Sequence, residues 1–309
     1  MYSLTPNISI ITRTKNRPLM LPRVLESLKK QSYTDFYWII VNDGGSRGYV
    51  DDILTQASAC GIHTEVIHNP SSKGMEAASN IGVMASTTEF LVIHDDDDSW
   101  NEGFLQKTIS FLLTNDYYQG VVTQSNKIVE KVGSGEVEFL SSEMLNPFLE
   151  SAELSLMAMR NQFPPISFVF RRRIYDLVGG FDESLPVLGD WDFNLRVLMH
   201  GDVGVIPEPL ANHHHRYEIS AGDESYGNTV TVGIKKHLEW EARYRNQHIR
   251  KDLHNNCIGF GHLLSQGKQN QLLYSELEQL KVAGDAWRSI IRLNEKYGVG
   301  FLKNLIRRK

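Results

Sequence analysis

The chain has 309 residues, 41% hydrophobic and 22% charged, with a formal net charge of −5. This is enough apolar material for a sizeable core, and the acidic balance argues against nucleic acid as a partner, because phosphate binding rests on clustered Lys and Arg. Cys60 and Cys257 stand far apart with no second ligand pattern, no basic-then-apolar leader opens the chain and no apolar run approaches bilayer length, so a cytoplasmic protein with reduced thiols is expected, touching a membrane only from its inner face.

Residues 8–11 read as a short strand, followed by the polar turn Thr12-Arg13-Thr14-Lys15-Asn16-Arg17-Pro18. Leu21, Val24, Leu25 and Leu28 recur at three- and four-residue spacing, which predicts a helix over 19–31. A second strand over 36–41 runs into Asn42-Asp43-Gly44-Gly45-Ser46, a strong turn signal. A helix over 50–60, a strand over 64–67, a helix over 75–85 and a strand over 90–93 complete a β-α-β-α-β-α-β alternation, which implies a largely parallel sheet with helices on both faces. Beyond residue 104 the pattern is mixed: strands over 120–126, 166–171 and 203–206, and helices over 174–178 and 190–200. From about residue 230 the chain is charged and helix-like, with Leu273, Leu277, Leu280, Trp287 and Ile291 in a heptad-like stripe broken by Gly284.

The strand over 90–93 ends, after His94, in four consecutive carboxylates, Asp95-Asp96-Asp97-Asp98. Neighbouring carboxylates repel and resist desolvation, and a divalent cation, which prefers oxygen ligands and can carry substrate phosphates, is the usual remedy. The other reading of the block is a solvated acidic turn. Ligands of open α/β sheets collect at the carboxyl ends of strands. Three such ends here carry polar loops, 12–17, 42–46 and 95–98, and their convergence favours a site.

The chain resembles the family 2 glycosyltransferases, GT-A enzymes that move sugars from nucleotide donors. The resemblance is carried by Ile10-Ile11-Thr12-Arg13-Thr14-Lys15-Asn16-Arg17, Val41-Asn42-Asp43-Gly44, Lys73-Gly74 with Asn80-Ile81-Gly82, and the aspartate block. Further along come Gly179-Gly180-Phe181-Asp182-Glu183 and Asp190-Trp191-Asp192-Phe193-Asn194-Leu195-Arg196. It spans residues 7–220 in the expected order and implies a GT-A domain over 1–225, with a nucleotide-sugar half to about 100 and an acceptor half beyond, then a helical extension over 226–309.

The resemblance also implies roles. Asp95 and Asp97 take the ends of a DxD motif, with Asp95 toward the ribose and Asp97 holding Mn²⁺ or Mg²⁺ on the diphosphate; Asp96 lies with the donor or merely holds the loop. Thr12, Arg13 and Thr14 frame the donor or cap the following helix, Asn42 and Asp43 contact its base or form a plain turn held by an Asx side chain, and Lys73 is a further donor contact. Asn42 stands where the family often has an acid, leaving uridine and thymidine both open as the base. A His near the end of the catalytic domain often joins the metal, and with Ser220 five residues on, His215 fits that place ahead of His213. Asp190 takes the place of the catalytic base at a helix start, where a carboxylate is also an ordinary cap. The first acid of the family's pair is Gly189 here, so Asp192 competes with Asp190. Ser79 replaces a common Arg, whose contact must come from elsewhere, with Lys73 as one source. By residue type and position rather than by resemblance, Trp100 and Trp191 suit apolar faces for an acceptor sugar or places in the core.

These roles describe an inverting, metal-dependent transferase using a UDP- or dTDP-sugar and a glycan or lipid-linked glycan acceptor of surface polysaccharide. A sugar nucleotidylyltransferase and a non-catalytic binding subunit are the alternatives. The apolar and basic run 297–309 suits either peripheral contact with an anionic membrane or packing, and the stripe from Leu273 to Ile291 suits a homo-oligomer.

Overall fold

The computed structural model describes residues 7–133, 135–219, 224–227 and 233–297. Strands β1 (Ile8–Thr14), β2 (Phe36–Asp43), β3 (Thr64–Asn69) and β4 (Phe90–Ile93) lie parallel in the order β3-β2-β1-β4. Alternate residues of β1 enter different cores. Ile8 and Ile10 meet Leu21, Val24, Leu25 and Leu28 of α1 (Leu21–Lys29) together with Val50 and Ile53 of α2 (Gly48–Ala59). Ile11 points to the opposite face, toward Val83 of α3 (Met75–Ala85). Each such fully buried aliphatic side chain contributes about 1.5–3 kcal/mol. Helix α3 lies close on β1, since a Cβ on Gly82 would stand 2.4 Å from Ile11 Cγ2.

Beyond β4 the sheet turns antiparallel. β8 (Phe168–Arg171) joins β4 to β6 (Gly120–Gly133), and β6 runs parallel to β9 (Val203–Ile219). β5 (Ser99–Trp100) and β7 (Glu136–Met144) pair antiparallel with β9 and β6. Two strands outrun their expected ends: β6 passes Asn126 to Gly133, and β9 passes Ile206 to Ile219. Pro207 and Pro209 do not stop β9, because the pairing shifts register opposite them, between Thr123 and Ser125, and proline is accommodated at bulges. His213, His214 and His215 therefore lie on a strand. β7 gave no sequence signal because both its faces are largely exposed; the fold also contains α4 (Phe104–Thr114) and α5 (Leu154–Met159).

Helices α6 (Arg172–Val178) and α7 (Gly189–His200) follow the expected segments. The C-terminal region forms α8 (Ile234–His254) and α9 (Phe260–Tyr297). Tyr244 and Leu264 enter the same core as Trp191 and Phe193. Buried Arg245 donates to the Ala158 and Met159 carbonyls, each at 3.0 Å, beside a bond to the Leu264 carbonyl. The first part of the extension is thus joined to the body by packing and hydrogen bonds. Leu273, Leu277 and Leu280 are exposed on α9. The side chains of Trp287 and Ile291, residues 298–309 and Ser220 lie outside the described residues. No helix among the described residues is long and apolar enough to cross a membrane.

Candidate active site

The parallel order sets β1 between β2 and β4, so the loops after these strands meet at one edge. Arg13, at the end of β1, joins them. Its Nε donates to Asp95 Oδ1 at 2.7 Å and its Nη2 to Asp95 Oδ2 at 3.4 Å. Its Nη1 reaches Glu76 Oε2 at 3.1 Å and Ser79 Oγ at 3.0 Å. The guanidinium over Ser79 is therefore Arg13's own, whereas the Lys73 side chain is exposed and only its backbone N–H is engaged, by Asp43.

The remaining aspartates are held one by one. Thr14 Oγ1 donates to Asp96 Oδ2 at 2.7 Å, and Arg17 spans Asp96 Oδ1 at 2.7 Å and Asp97 Oδ2 at 3.0 Å. Arg216 of β9 also pairs with Asp97, and Arg23 of α1 donates to the Asp97 carbonyl at 2.5 Å. Asp98 accepts the His214 N–H at 2.8 Å and pairs with His213 Nδ1 at 3.2 Å. Burial opposes the charge on Asp97, but Arg17 and Arg216 outweigh it and hold the carboxyl well below the usual range. Burial wins at Asp96, pushed up to about 6 against Arg17. The block is neither a solvated turn nor a bare cluster of like charge.

A metal must be tested against this arrangement. Among the described residues no group of three or more His, Cys, Asp or Glu side chains converges on a point. Mg²⁺ and related ions, however, lean on one or two carboxylates plus substrate phosphates, and Asp97 is ionised, as a ligand must be. Asp95 and Asp97 are thus oxygen donors of the kind such an ion takes, although Arg13 engages the first and Arg17 and Arg216 the second. His215 is buried, its ring beside those of His213 and Tyr217, with neither nitrogen hydrogen-bonded. Burial, then His213, pushes it down to about 4, which keeps it in the neutral form that ligation needs.

Asp190 opens α7 and is partly covered; its Oδ2 accepts from Asn161 Nδ2 at 2.7 Å. Burial raises its pKa, opposed by the Trp191 N–H and Arg13, while Asp95 adds to the rise. Asp190 therefore lies within the electrostatic reach of the Arg13–Asp95 pair. Asp192 points elsewhere. It accepts two bonds from Arg196, at 2.8 and 2.6 Å, and one from Tyr244 Oη at 2.7 Å, fastening α7 to α8. Of the two competing carboxylates, Asp190 is the one that feels the charges of Arg13 and Asp95, whereas Asp192 is taken up by Arg196 and Tyr244.

Several expected contacts are corrected. Trp100 is 4% exposed, stacks on Phe104 and donates to the Ile166 carbonyl at 2.7 Å. Trp191 is 3% exposed, donates to the Met157 carbonyl at 2.6 Å and lies under Arg245. Both indoles are core residues and offer no face to a sugar. Thr12 is fully buried and accepts the Trp38 indole N–H at 2.9 Å, so it belongs to the core as well. Asn42 and Asp43 are buried and engaged by their own turn, by β3 and by the segment that follows β3. Asn42 contacts Gly45, Ser46 and His68, while Asp43 accepts from Asn69, Ser72 and the Lys73 and Gly74 N–H groups. Gly44, at φ +76°, makes that turn possible.

Two other motifs form a clasp. Asn80 Oδ1 accepts from Tyr175 Oη at 2.7 Å and the Phe181 N–H at 3.0 Å, while its Nδ2 donates to the Phe181 carbonyl and Glu183, both at 2.9 Å. Gly180, at φ +75°, lets the chain pass close to Asn80. Sequence reasoning missed Glu76, Arg23, Glu130 and Arg216. Arg23 Nη2 pairs with Glu130 at 2.7 Å, and Glu130 also meets His214 at 2.8 Å and Arg216 at 3.4 Å. For Glu130 and Arg216 the available signal was a charged residue inside a strand otherwise fit for burial.

Comparison with known proteins agrees with this geometry. The glycosyl transferase family 2 model matches residues 9–171, more than half of the chain. An uncharacterized glycosyltransferase, YwdF, of Bacillus subtilis is 28% identical over 200 residues, covering 65% of this chain and 71% of the relative. An uncharacterized glycosyltransferase of Haemophilus influenzae is 26% identical over 275 residues, covering 87% and 89%. A pre-mycofactocin glycosyltransferase of Mycobacterium tuberculosis is 28% identical over 218 residues, covering 69% of this chain and 44% of the relative. Among solved structures, S. aureus TarS superposes with a TM-score of 0.57 at 16% identity over 86% of this chain, and its 1-349 fragment with UDP with 0.52 at 16% over 67%. The chain spans 43% and 60% of those two TarS chains, less than two thirds of each. The fold, the order of the loops and the family match together show that the chain belongs to glycosyl transferase family 2 and has the GT-A fold.

Proposed function

We propose that the protein is an inverting, metal-dependent glycosyltransferase. It moves a hexosyl or deoxyhexosyl unit from a UDP- or dTDP-sugar to a glycan or lipid-linked glycan acceptor in surface-polysaccharide assembly. The observation that carries this reading is the position of Arg13, bonded to Asp95 and acting electrostatically on Asp190, which supports reading the aspartate block and the α7 carboxylate as one site. The TarS 1-349 fragment is solved in complex with UDP and with UDP-GlcNAc, which favours a uridine nucleotide as donor. Exposed Leu273, Leu277 and Leu280 support self-association through α9, and the basic, apolar run 297–309 supports contact with an anionic membrane.

In this reading the acceptor hydroxyl lies against Asp190. Asn161 fixes one carboxylate oxygen, leaving the other to take the proton as the hydroxyl oxygen attacks the anomeric carbon. The bond from that carbon to the diphosphate oxygen breaks, and its electron pair leaves with the nucleoside diphosphate. The raised pKa of Asp190 makes it a stronger base than a free carboxylate once ionised. Arg17 and Arg216 keep Asp97 charged and in place. Asp95, Asp97 and His215 are the residues that would hold Mn²⁺ or Mg²⁺, which when bound neutralises charge on the departing diphosphate. Asp190→Asn tests the reading: donor binding by calorimetry should persist while turnover falls by ~10²-fold or more. Unchanged turnover would refute it.

A further inference from the structure

The glycine at 189 is accounted for by its neighbour. A Cβ placed there would stand 2.3 Å from Cδ and Oε1 of Glu76 and 2.6 Å from its Cγ. The Glu76 carboxylate thus fills the space into which any side chain on residue 189 would grow, one residue before Asp190. Glu76 lies in the first turn of α3 and Asp190 in the first turn of α7. Each carboxylate therefore sits at a helix N-terminus, where the backbone dipole favours negative charge. Glu76 is 5% exposed, and Arg13 ties it to the aspartate block.

We infer that Glu76 is a positioning residue of the transfer site, lodged on α3 in the space that Gly189 leaves open, where it fixes Arg13 against Asp95 beside the start of α7. A purely stabilising role fits poorly. Buried ion pairs contribute little compared with well-packed apolar residues, and α3 is already fastened through the Gly82 contact and the Asn80 clasp. Glu76 also faces two further carboxylates. Burial pushes it up to about 7 in spite of Arg13, with Asp190 and Asp95 adding to the rise. Packing alone would not favour setting two acids on this guanidinium with a third within electrostatic reach. An anchor that holds Arg13 from the side opposite Asp95 while packing on Gly189 gives them a common purpose, since the aspartate block is then tied to the residue that precedes the base.

The inference rests on the base assignment above, and the test separates the two. Steady-state kcat and KM are measured for Glu76→Gln, Glu76→Ala, Gly189→Asp, the double exchange Glu76→Ala/Gly189→Asp and its neutral counterpart Glu76→Ala/Gly189→Asn, with melting curves to confirm folding. Both Glu76 single variants should lose about tenfold or more in kcat with little change in donor KM. Gly189→Asp alone should lose activity, because two carboxyl groups cannot share the space. The double exchange with Asp should recover most of the loss, and the one with Asn should not. Wild-type kcat in Glu76→Gln and Glu76→Ala would overturn the inference, as would equal recovery by Asn and Asp or no recovery by Asp. Asp190→Asn in the same assay reports on the base independently: full activity there removes the base assignment and this inference with it.

Discussion

Replacing Asp192 with Ala separates the two α7 carboxylates most cleanly. The substitution removes both acceptor contacts of Arg196, at 2.8 and 2.6 Å, and the acceptor of the Tyr244 hydroxyl at 2.7 Å. Tyr244 is 4% exposed, and an orphaned buried hydroxyl costs about 1–3 kcal/mol. Breaking a fully buried ion pair costs roughly 3–5 kcal/mol. The Arg196 side chain, however, is 20% exposed and keeps its bond to the Val178 carbonyl at 2.7 Å, so about 2 kcal/mol is the fitting share. The sum, roughly 3–5 kcal/mol, corresponds to a fall in Tm of roughly 10 °C for a domain of this size. Thermal melts followed by circular dichroism would measure it, and transfer rates well below the lowered Tm should stay within about threefold of wild type. Asp190→Asn should do the reverse, with a small change in Tm and a large loss of turnover. If Asp192→Asn melts like wild type yet abolishes transfer, the assignment of the base to Asp190 is wrong.

Asp97→Ala should abolish transfer and weaken Mn²⁺-dependent binding of the nucleoside diphosphate, measured by calorimetry; full wild-type activity in chelator would contradict the metal role. His213 gives a pH signature: Asp98 outweighs burial and raises its pKa to about 9 from the ordinary 6.5. The folded state therefore holds this proton more tightly than the unfolded state. The stabilisation is fully present below pH 6.5 and lost as pH rises through about 9. Urea titrations at the two ends of that window should show the loss in wild type and a flatter profile in His213→Gln. Trp100→Ala should cost about 3–5 kcal/mol of stability, as for other buried aromatics; a normal Tm with a raised acceptor KM would restore Trp100 to the acceptor site.

The parallel half of the fold was legible because its strands and helices carry simple periodicities, and α3 and β4 have the bounds that their apolar spacing predicted. The antiparallel half was less so. β9 contains two prolines and three histidines, and it remains a strand only because the bulges of β6 and its side-chain partners accept them. In the site, the aspartate block announced itself, but its partners did not. Arg216 and Glu130 come from strands far along the chain and meet Asp97 and Arg23 only once the sheet is assembled. The tryptophans misled for a plain reason: type and sequence position do not say which face of an element is covered, and both indole nitrogens found core carbonyls. Gly189 read as a missing acid, and only the fold shows a carboxylate from α3 in its place.

The most direct test of the central claim is the stereochemistry and stoichiometry of the reaction. The purified protein, Mn²⁺ and a panel of UDP- and dTDP-sugars would be incubated with an acceptor library, and the products read by NMR and by nucleotide analysis. The account predicts one nucleoside diphosphate released per glycoside formed, with the anomeric configuration inverted relative to the donor. Retained configuration, or release of pyrophosphate from a nucleoside triphosphate instead, would contradict it.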